Sequence, residues 1–319
     1  MTAPAAGPLS QALLELAPDH PDLLAVSADV VKYTDLAAFA ARYPDRVLNV
    51  GMAEQNLVAV AAGLAKAGFV PFATTFGVFA TRRALDFIEI QAALNGTNVK
   101  ICGGLPGVMS TFGPTHQAID DLAHLRAVPG LTVIDPCDAA EMRAAAVAAY
   151  HHDGPVYLRL LLDKAAPLPE PRAPFRIGEA VRLAEGTDVA IVASSFLVGL
   201  ALAAAQRLAG EGISAAVLKV STLRPFDAPA VAALASGVSA VVTAENHTVV
   251  GGLASSVAEV LAREGLGRPL RAVGVQDQWG PLGSFEYVTA HHGLTEDAIA
   301  AAAHDALRAA EAGAGAVSR

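Results

Sequence analysis

Fully apolar runs of strand length alternate with longer helical patterns along nearly the whole chain, and this alternation restricts the fold more than any other feature. Residues 69–74, 99–102 and 155–160 are apolar on both faces but for single residues such as Lys100 and Arg159, so a sheet built from them must be covered on both sides. The intervening segments 54–66, 77–94, 117–127 and 139–150 read as the covering helices, and 22–29 and 131–135 as further strands. The helix over 77–94 is predicted to stop at Asn95-Gly96, a residue pair suited to a helix end. Strands and helices in this order predict parallel βαβ units.

Residues 165–177 interrupt the pattern with four prolines in thirteen positions. Such a stretch reads as an extended connection. The alternation then restarts, with strands at 189–193, 215–220, 239–244 and 271–275, and helices at 197–208, near 229–234, at 253–264 and at 296–312. The expected fold class is α/β, with two doubly wound domains whose sheets are parallel or mostly parallel. The expected division is 1–164, a linker at 165–179, and 180–319.

Composition narrows the function. The chain has 319 residues, 53% of them hydrophobic, enough for two packed cores. Its formal net charge of −9 argues against a nucleic-acid partner, which would need a basic face. No uninterrupted apolar stretch reaches the length of a membrane span, and no Lys or Arg precedes an apolar run at the N-terminus, so neither a membrane nor a secretory address is expected. Two cysteines, Cys102 and Cys137, are too few for a disulfide framework and read as reduced thiols of a cytoplasmic protein.

Three segments carry side chains suited to chemistry. The first is Asn49-Val50-Gly51-Met52-Ala53-Glu54-Gln55-Asn56, which sets Glu54 in the first turn of a helix. An acid there also simply complements the helix macrodipole. The second, Thr74-Thr75-Phe76-Gly77-Val78-Phe79, puts two phenylalanines three apart on one helical face, as a core would. The third, Phe112-Gly113-Pro114-Thr115-His116-Gln117, leaves His116 open as a loop residue, a metal ligand or a proton carrier. No second ligand lies near it at coordinating spacing, so no metal site is expected in this chain.

In this order and at these intervals the three segments resemble the transketolase family, in particular the pyrimidine-binding and C-terminal domains carried by one chain of a split, two-chain enzyme. Glu54 is similar to the glutamate at that family's helix start, Phe76 and Phe79 to its aromatic clamp, Gly113–Gln117 to its GPTHQ loop, and Asp29 to the acid after its first strand. Thr243–Leu253, with Glu245-Asn246-His247, is similar to a strand-end motif of its C-terminal domain. The resemblance runs from about residue 8 to about residue 310 and implies a thiamine-diphosphate pyrimidine-binding fold followed by a transketolase C-terminal domain.

That resemblance implies thiamine diphosphate as cofactor, with Glu54 hydrogen-bonded to N1′ of its aminopyrimidine so that the ring's 4′-nitrogen can act as a base. It implies that Phe76, Phe79 and Asp29 help hold the cofactor. His116 would stand on the substrate side, near the oxygen that gains and loses a proton. It further implies transfer of a two-carbon ketol unit between a ketose-type donor and an aldehyde-type acceptor. The family's Gly-Asp-Gly motif, which binds the diphosphate through Mg2+, is not found in this sequence. The expected partner is therefore an N-terminal, diphosphate-binding subunit, in an α2β2 assembly with this chain as β and no activity of this chain alone.

The sequence departs from the family's pattern in the expected substrate pocket. Phe112 stands where an aspartate normally reads a donor hydroxyl, Gly104 where a histidine helps hold sugar phosphate, and Leu162 where an arginine grips it. Arg159 is three residues away and offers a replacement cation. These changes predict a non-standard substrate, less polar or unphosphorylated. Three other readings share parts of the pattern: a β subunit of a 2-oxo acid dehydrogenase or decarboxylase, half of a deoxyxylulose-phosphate synthase, and a silent regulatory subunit. For the C-terminal domain the expectation is assembly and support, with His247, His291 and His292 structural and Trp279 and Phe285 as interface anchors.

Overall fold

The computed structural model of the chain describes residues 4–161, 165–169 and 173–317. Leu162, named above for the substrate pocket, lies outside them. The first part of the chain runs α1 (Pro8–Leu16), β1 (Leu23–Ser27), α2 (Ala37–Arg42), β2 (Val47–Asn49), α3 (Glu54–Lys66), β3 (Val70–Phe76), α4 (Gly77–Phe87), β4 (Lys100–Gly104), α5 (Asp121–Arg126), β5 (Thr132–Ile134), α6 (Ala139–His151) and β6 (Val156–Leu160). After the proline-rich stretch come β7 (Val181–Ala184), β8 (Val189–Ala193), α7 (Leu197–Gly210), β9 (Ala215–Lys219), β10 (Thr222–Arg224), α8 (Ala228–Ser236), β11 (Ala240–Thr248), α9 (Leu253–Arg263), β12 (Leu270–Val275), α10 (Phe285–His291) and α11 (Glu296–Val317).

Two sheets result, in the orders β10-β5-β6-β4-β3-β1-β2 and β12-β11-β8-β9-β7. All pairings are parallel except β10 on β5 and β7 on β9, so the expectation of mostly parallel sheets holds. All seven residues of β3 are buried, as a strand covered on both faces requires. In α3 the buried Leu57, Val58, Ala61 and Ala62 form one face, while Glu54 in the first turn and Lys66 in the last complement the macrodipole.

Some elements differ from the sequence reading. The helix expected over 117–127 begins only at Asp121, because Ala118 pairs with Pro106 and Gly107 in short β-bridges and cannot also wind into a helix. The helix from Gly77 changes at Ile88 to a π-helical turn that ends at Ala93, and Gly96 follows with φ of 56°. β10 was not expected at all. It follows β9 in the chain yet adds to the edge of the first sheet, with Leu223 buried there, and covers an edge that β5 would otherwise expose.

One apolar core runs from Leu57, Ile88 and Leu125 of the first part to Val231, Leu253 and Val257 of the second, tying the two sheets together. Separate clusters fill the far face of each sheet, around α1 and α6 in one and α7 and α11 in the other. Among the described residues no helix is long and apolar enough to cross a membrane.

Candidate active site

Parallel strands deliver their C-terminal ends to one edge of a sheet, where loops can converge on a ligand. Here β3 ends at Phe76 and β4 at Gly104, β2 leads through a short loop to Glu54, and β1 leads to Asp29. Four of the sequence-derived candidates are therefore on one edge by topology alone.

Asp29 and Asn49 hold the approach to Glu54. The Asn49 side-chain amide donates to Asp29 Oδ1 at 2.8 Å, and Asn49 Oδ1 accepts from the backbone N–H of Asp29 and of Gly51, each at 3.0 Å. Asp29 has φ of 63°, a left-handed conformation that Asp tolerates better than most residues. This pairing joins the ends of β1 and β2 just before the turn into α3.

Glu54 is 3% exposed and accepts a hydrogen bond on Oε1 from Arg83 Nη1 at 2.9 Å. Arg83 is four residues beyond Phe79 on α4, and its guanidinium carbon lies 3.8 Å from the centre of the Phe79 ring. Phe79 also meets the His116 ring edge-on, 5.1 Å between centres, and Phe76 lies 6.0 Å from Phe79 and 6.1 Å from His116. Phe112 completes the group at 5.5 Å from His116 and 6.4 Å from Phe76. Tyr33, which the sequence reading missed, packs edge-on against both Phe76 and Phe112.

The result is a cluster of aromatic rings beside a carboxylate, partly open to solvent through Phe112 and Tyr33, which are 47% and 49% exposed. Thr115 Oγ1 contacts His116 Nδ1 at 2.9 Å, and Nε2 has no partner among the described residues. Gly104 sits beneath the rings. A Cβ there would come within 3.1 Å of the Thr34 methyl, which would have to give way by a few tenths of an ångström, and would be in ordinary contact with Phe76 at 3.7 Å.

Arg159 is not in this cluster. It is fully buried, and its guanidinium is consumed by Asp121, Asp135 and the carbonyls of Asn246 and Ala118. Burial disfavours charge on Asp121, but the Arg159 cation beside it holds the carboxyl below the usual range. Asp135, held by one longer contact to Arg159, is pushed up by burial. The cation expected to replace a lost phosphate contact ties the first sheet to β11, with every guanidinium nitrogen already bonded within the protein.

The second sheet's loops also come closer than expected. Asn246 of β11 accepts from the N–H of Val108 at 3.0 Å and donates to the carbonyl of Pro106 at 3.1 Å. Residues 276–284 lie against the GPTHQ loop: Gln117 Nε2 donates to the carbonyl of Pro281 at 3.4 Å, and Trp279 stacks on Arg82, which pairs with Asp120. The C-terminal part thus supports the loop that carries His116. Phe285, named as an interface anchor, packs on Phe196, and His247 and His292 are buried.

Residues 6–163 match the pyrimidine-binding domain of transketolase, and residues 178–299 its C-terminal domain. The chain belongs to the transketolase family. It is 43% identical over 294 residues to the 6-deoxy-6-sulfo-D-fructose transketolase subunit SqwH of Clostridium sp. (strain MSTE9), covering 92% of this chain and 91% of that one. It is 34% identical to one subunit of the apulose-4-phosphate transketolase of Phocaeicola vulgatus (strain ATCC 8482), covering 90% and 92%. A solved split gene transketolase, an inactive beta4 tetramer, superposes with a TM-score of 0.84 at 40% identity, over 94% of this chain and 97% of that chain. The expected class, a transketolase-like transferase divided between subunits, stands on these transketolase relatives.

A flat aminopyrimidine needs an acceptor for a ring N–H and apolar faces to lie on, and the Glu54–Phe76–Phe79 group offers both. A magnesium diphosphate needs several hard oxygen ligands. Among the described residues no group of three or more His, Cys, Asp or Glu could hold a metal.

Proposed function

We propose that this chain is the β subunit of a thiamine-diphosphate-dependent transketolase that moves a two-carbon ketol unit from a ketose to an aldehyde. The observation that carries the proposal is the Glu54 carboxylate set beside Phe79, Phe76 and His116 at the C-terminal edge of a parallel sheet. Bound thiamine diphosphate supplies the carbanionic carbon that takes up and passes on the two-carbon unit. Glu54 holds a proton at the ring nitrogen, Phe76 and Phe79 cover the ring faces, and His116 exchanges a proton with the substrate oxygen. Asp29 keeps the loop before Glu54 in place through Asn49.

In this proposal Mg2+ and the diphosphate are held by an N-terminal partner subunit in an α2β2 assembly, and catalysis takes place in the cytoplasm. The donor differs from ordinary sugar phosphates where Phe112 faces it. Two relatives named for 6-deoxy-6-sulfo-fructose and apulose 4-phosphate support an unusual sugar.

The test is reconstitution with the diphosphate-binding subunit, followed by assay of Glu54→Gln and of wild type on xylulose 5-phosphate with ribose 5-phosphate. The expected results are near-complete loss of turnover in the variant with its best donor, and slow turnover of the standard pair by wild type. Full activity of the lone chain, or of Glu54→Gln, would overturn the assignment.

A further inference from the structure

The two oxygens of Glu54 are in unlike settings. Oε1 accepts the hydrogen bond from Arg83 Nη1, whereas Oε2 has no hydrogen-bond partner among the described residues and is not sealed from solvent. One oxygen is committed and the other is presented.

Arg83 is itself held. Its position four residues after Phe79 puts both on one face of α4. The guanidinium lies on the Phe79 ring at 3.8 Å while it reaches across to α3 for Glu54. A planar cation stacked on an aromatic face loses less freedom per hydrogen bond than a flexible ammonium would. The carboxylate of a first-turn glutamate, by contrast, has several rotamers of its own. The stacked guanidinium selects among them.

We infer that Arg83 is a positioning residue: clamped on Phe79, it fixes Oε1 of Glu54 and so aims Oε2 at the cofactor ring nitrogen. This rests on the function proposed above. A purely structural tie between α3 and α4 would give a different signature. The Arg83 side chain is 47% exposed but that of Glu54 only 4%, so removing the cation leaves a largely buried carboxylate without its partner and some loss of stability is expected with either role. What separates the two roles is the cofactor: a positioning role makes its binding and turnover depend on Arg83, and a structural tie does not.

The experiment uses the reconstituted two-chain enzyme with Arg83→Ala, Arg83→Lys and Glu54→Gln. Thiamine diphosphate binding is measured with Mg2+ by calorimetry between pH 6 and 9, alongside kcat and KM for the best donor and the urea midpoint. Arg83→Ala is expected to weaken cofactor binding about tenfold, the size of one charge-assisted hydrogen bond. It should shift the pH profile of binding and lower kcat more than it raises donor KM. Arg83→Lys should recover part of both, whereas a merely structural tie would lower the urea midpoint in Arg83→Ala and leave cofactor binding and its pH profile as in wild type. Cofactor affinity in Arg83→Ala equal to wild type would overturn the inference, and so would tighter binding, which would make Arg83 an occupant that the cofactor displaces. If Glu54→Gln itself binds and turns over normally, the proposed function fails; if only Glu54→Gln is impaired, the role of Arg83 alone fails.

Discussion

Arg159 donates from Nε to Oδ2 of Asp121 at 2.9 Å, and Nη2 bonds the other carboxylate oxygen, inside a core from which both side chains are fully excluded from water. Tyr157 adds a hydrogen bond to Asp121 at 2.7 Å, and Ser194, from the second sheet, bonds Asp135 at 2.9 Å. The two sheets are joined by charge as well as by apolar packing.

Arg159→Met leaves Asp121 and Asp135 buried without their cation. The expected loss is about 3–5 kcal/mol in equilibrium urea unfolding, the cost of an uncompensated buried charge. Exchanging the aspartates for Asn in the same chain should recover much of it. A variant of unchanged stability that failed only in donor KM would return Arg159 to the substrate pocket.

His247 makes the same junction sensitive to acid. Its Nδ1–H donates to the carbonyl of Thr248 at 2.6 Å and its Nε2 accepts from the N–H of Ala123 at 3.2 Å, so the fold requires the neutral ring. Burial, then the Arg159 cation, lowers its pKa from 6.5 to about 4, with Asp121 at 4.0 Å and the hydrogen bond to the Thr248 carbonyl opposing. The unfolded chain takes up this proton below about pH 6.5 and the folded one only near pH 4. The contribution is therefore complete above pH 6.5 and falls by about 3 kcal/mol as pH drops toward 4. Glu245, pushed up from 4.5 to about 7 by burial, has the opposite slope: its contribution is lost as pH rises through that range. Urea unfolding at several pH values should show a shallower acid limb in His247→Gln than in wild type. Identical limbs would mean that the ring is charged in the fold.

His116→Ala should lower kcat by about 10²–10³, the usual scale for removing one proton carrier. Cofactor affinity should stay within about twofold, because His116 packs on Phe79 and Phe112 and makes no hydrogen bond to Glu54. Calorimetry and steady-state rates on the same preparation separate the two effects. Equal losses in both would make His116 part of the cofactor cradle.

Phe112 is 47% exposed at the rim of the ring cluster, so Phe112→Asp should fold normally. The added carboxylate is expected to raise kcat/KM for xylulose 5-phosphate about tenfold, in line with one hydrogen bond to a charged group. An unchanged ratio between this donor and the enzyme's preferred one would remove Phe112 from substrate selection.

Much of the candidate site was legible residue by residue. Glu54, Phe76, Phe79, Phe112 and His116 could each be singled out because each is part of a short motif, and the structure brings them together. Arg83 had only a faint signal, its spacing of four from Phe79, since nothing local says that its cation reaches α3. Tyr33 had none, because its loop follows β1 without a pattern. The partners of Arg159 were hidden for the same reason: a lone Arg in an apolar strand announces a buried partner, but not which one.

The alternation of strand and helix periods was enough to define the α/β class and nearly every central strand, because burial on both faces is written in consecutive residues. The bonds that decide how those elements meet join positions far apart in the chain: Arg159 to Asn246 across 87 residues, Gln117 to Pro281 across 164. The placement of β10 on the first sheet belongs with them. Such pairings are selected by the free energy of the whole core, in which a buried charge or an open strand edge must find a partner. No single segment contains that information, so only the tertiary structure could assign Arg159 to the junction and Arg83 to Glu54.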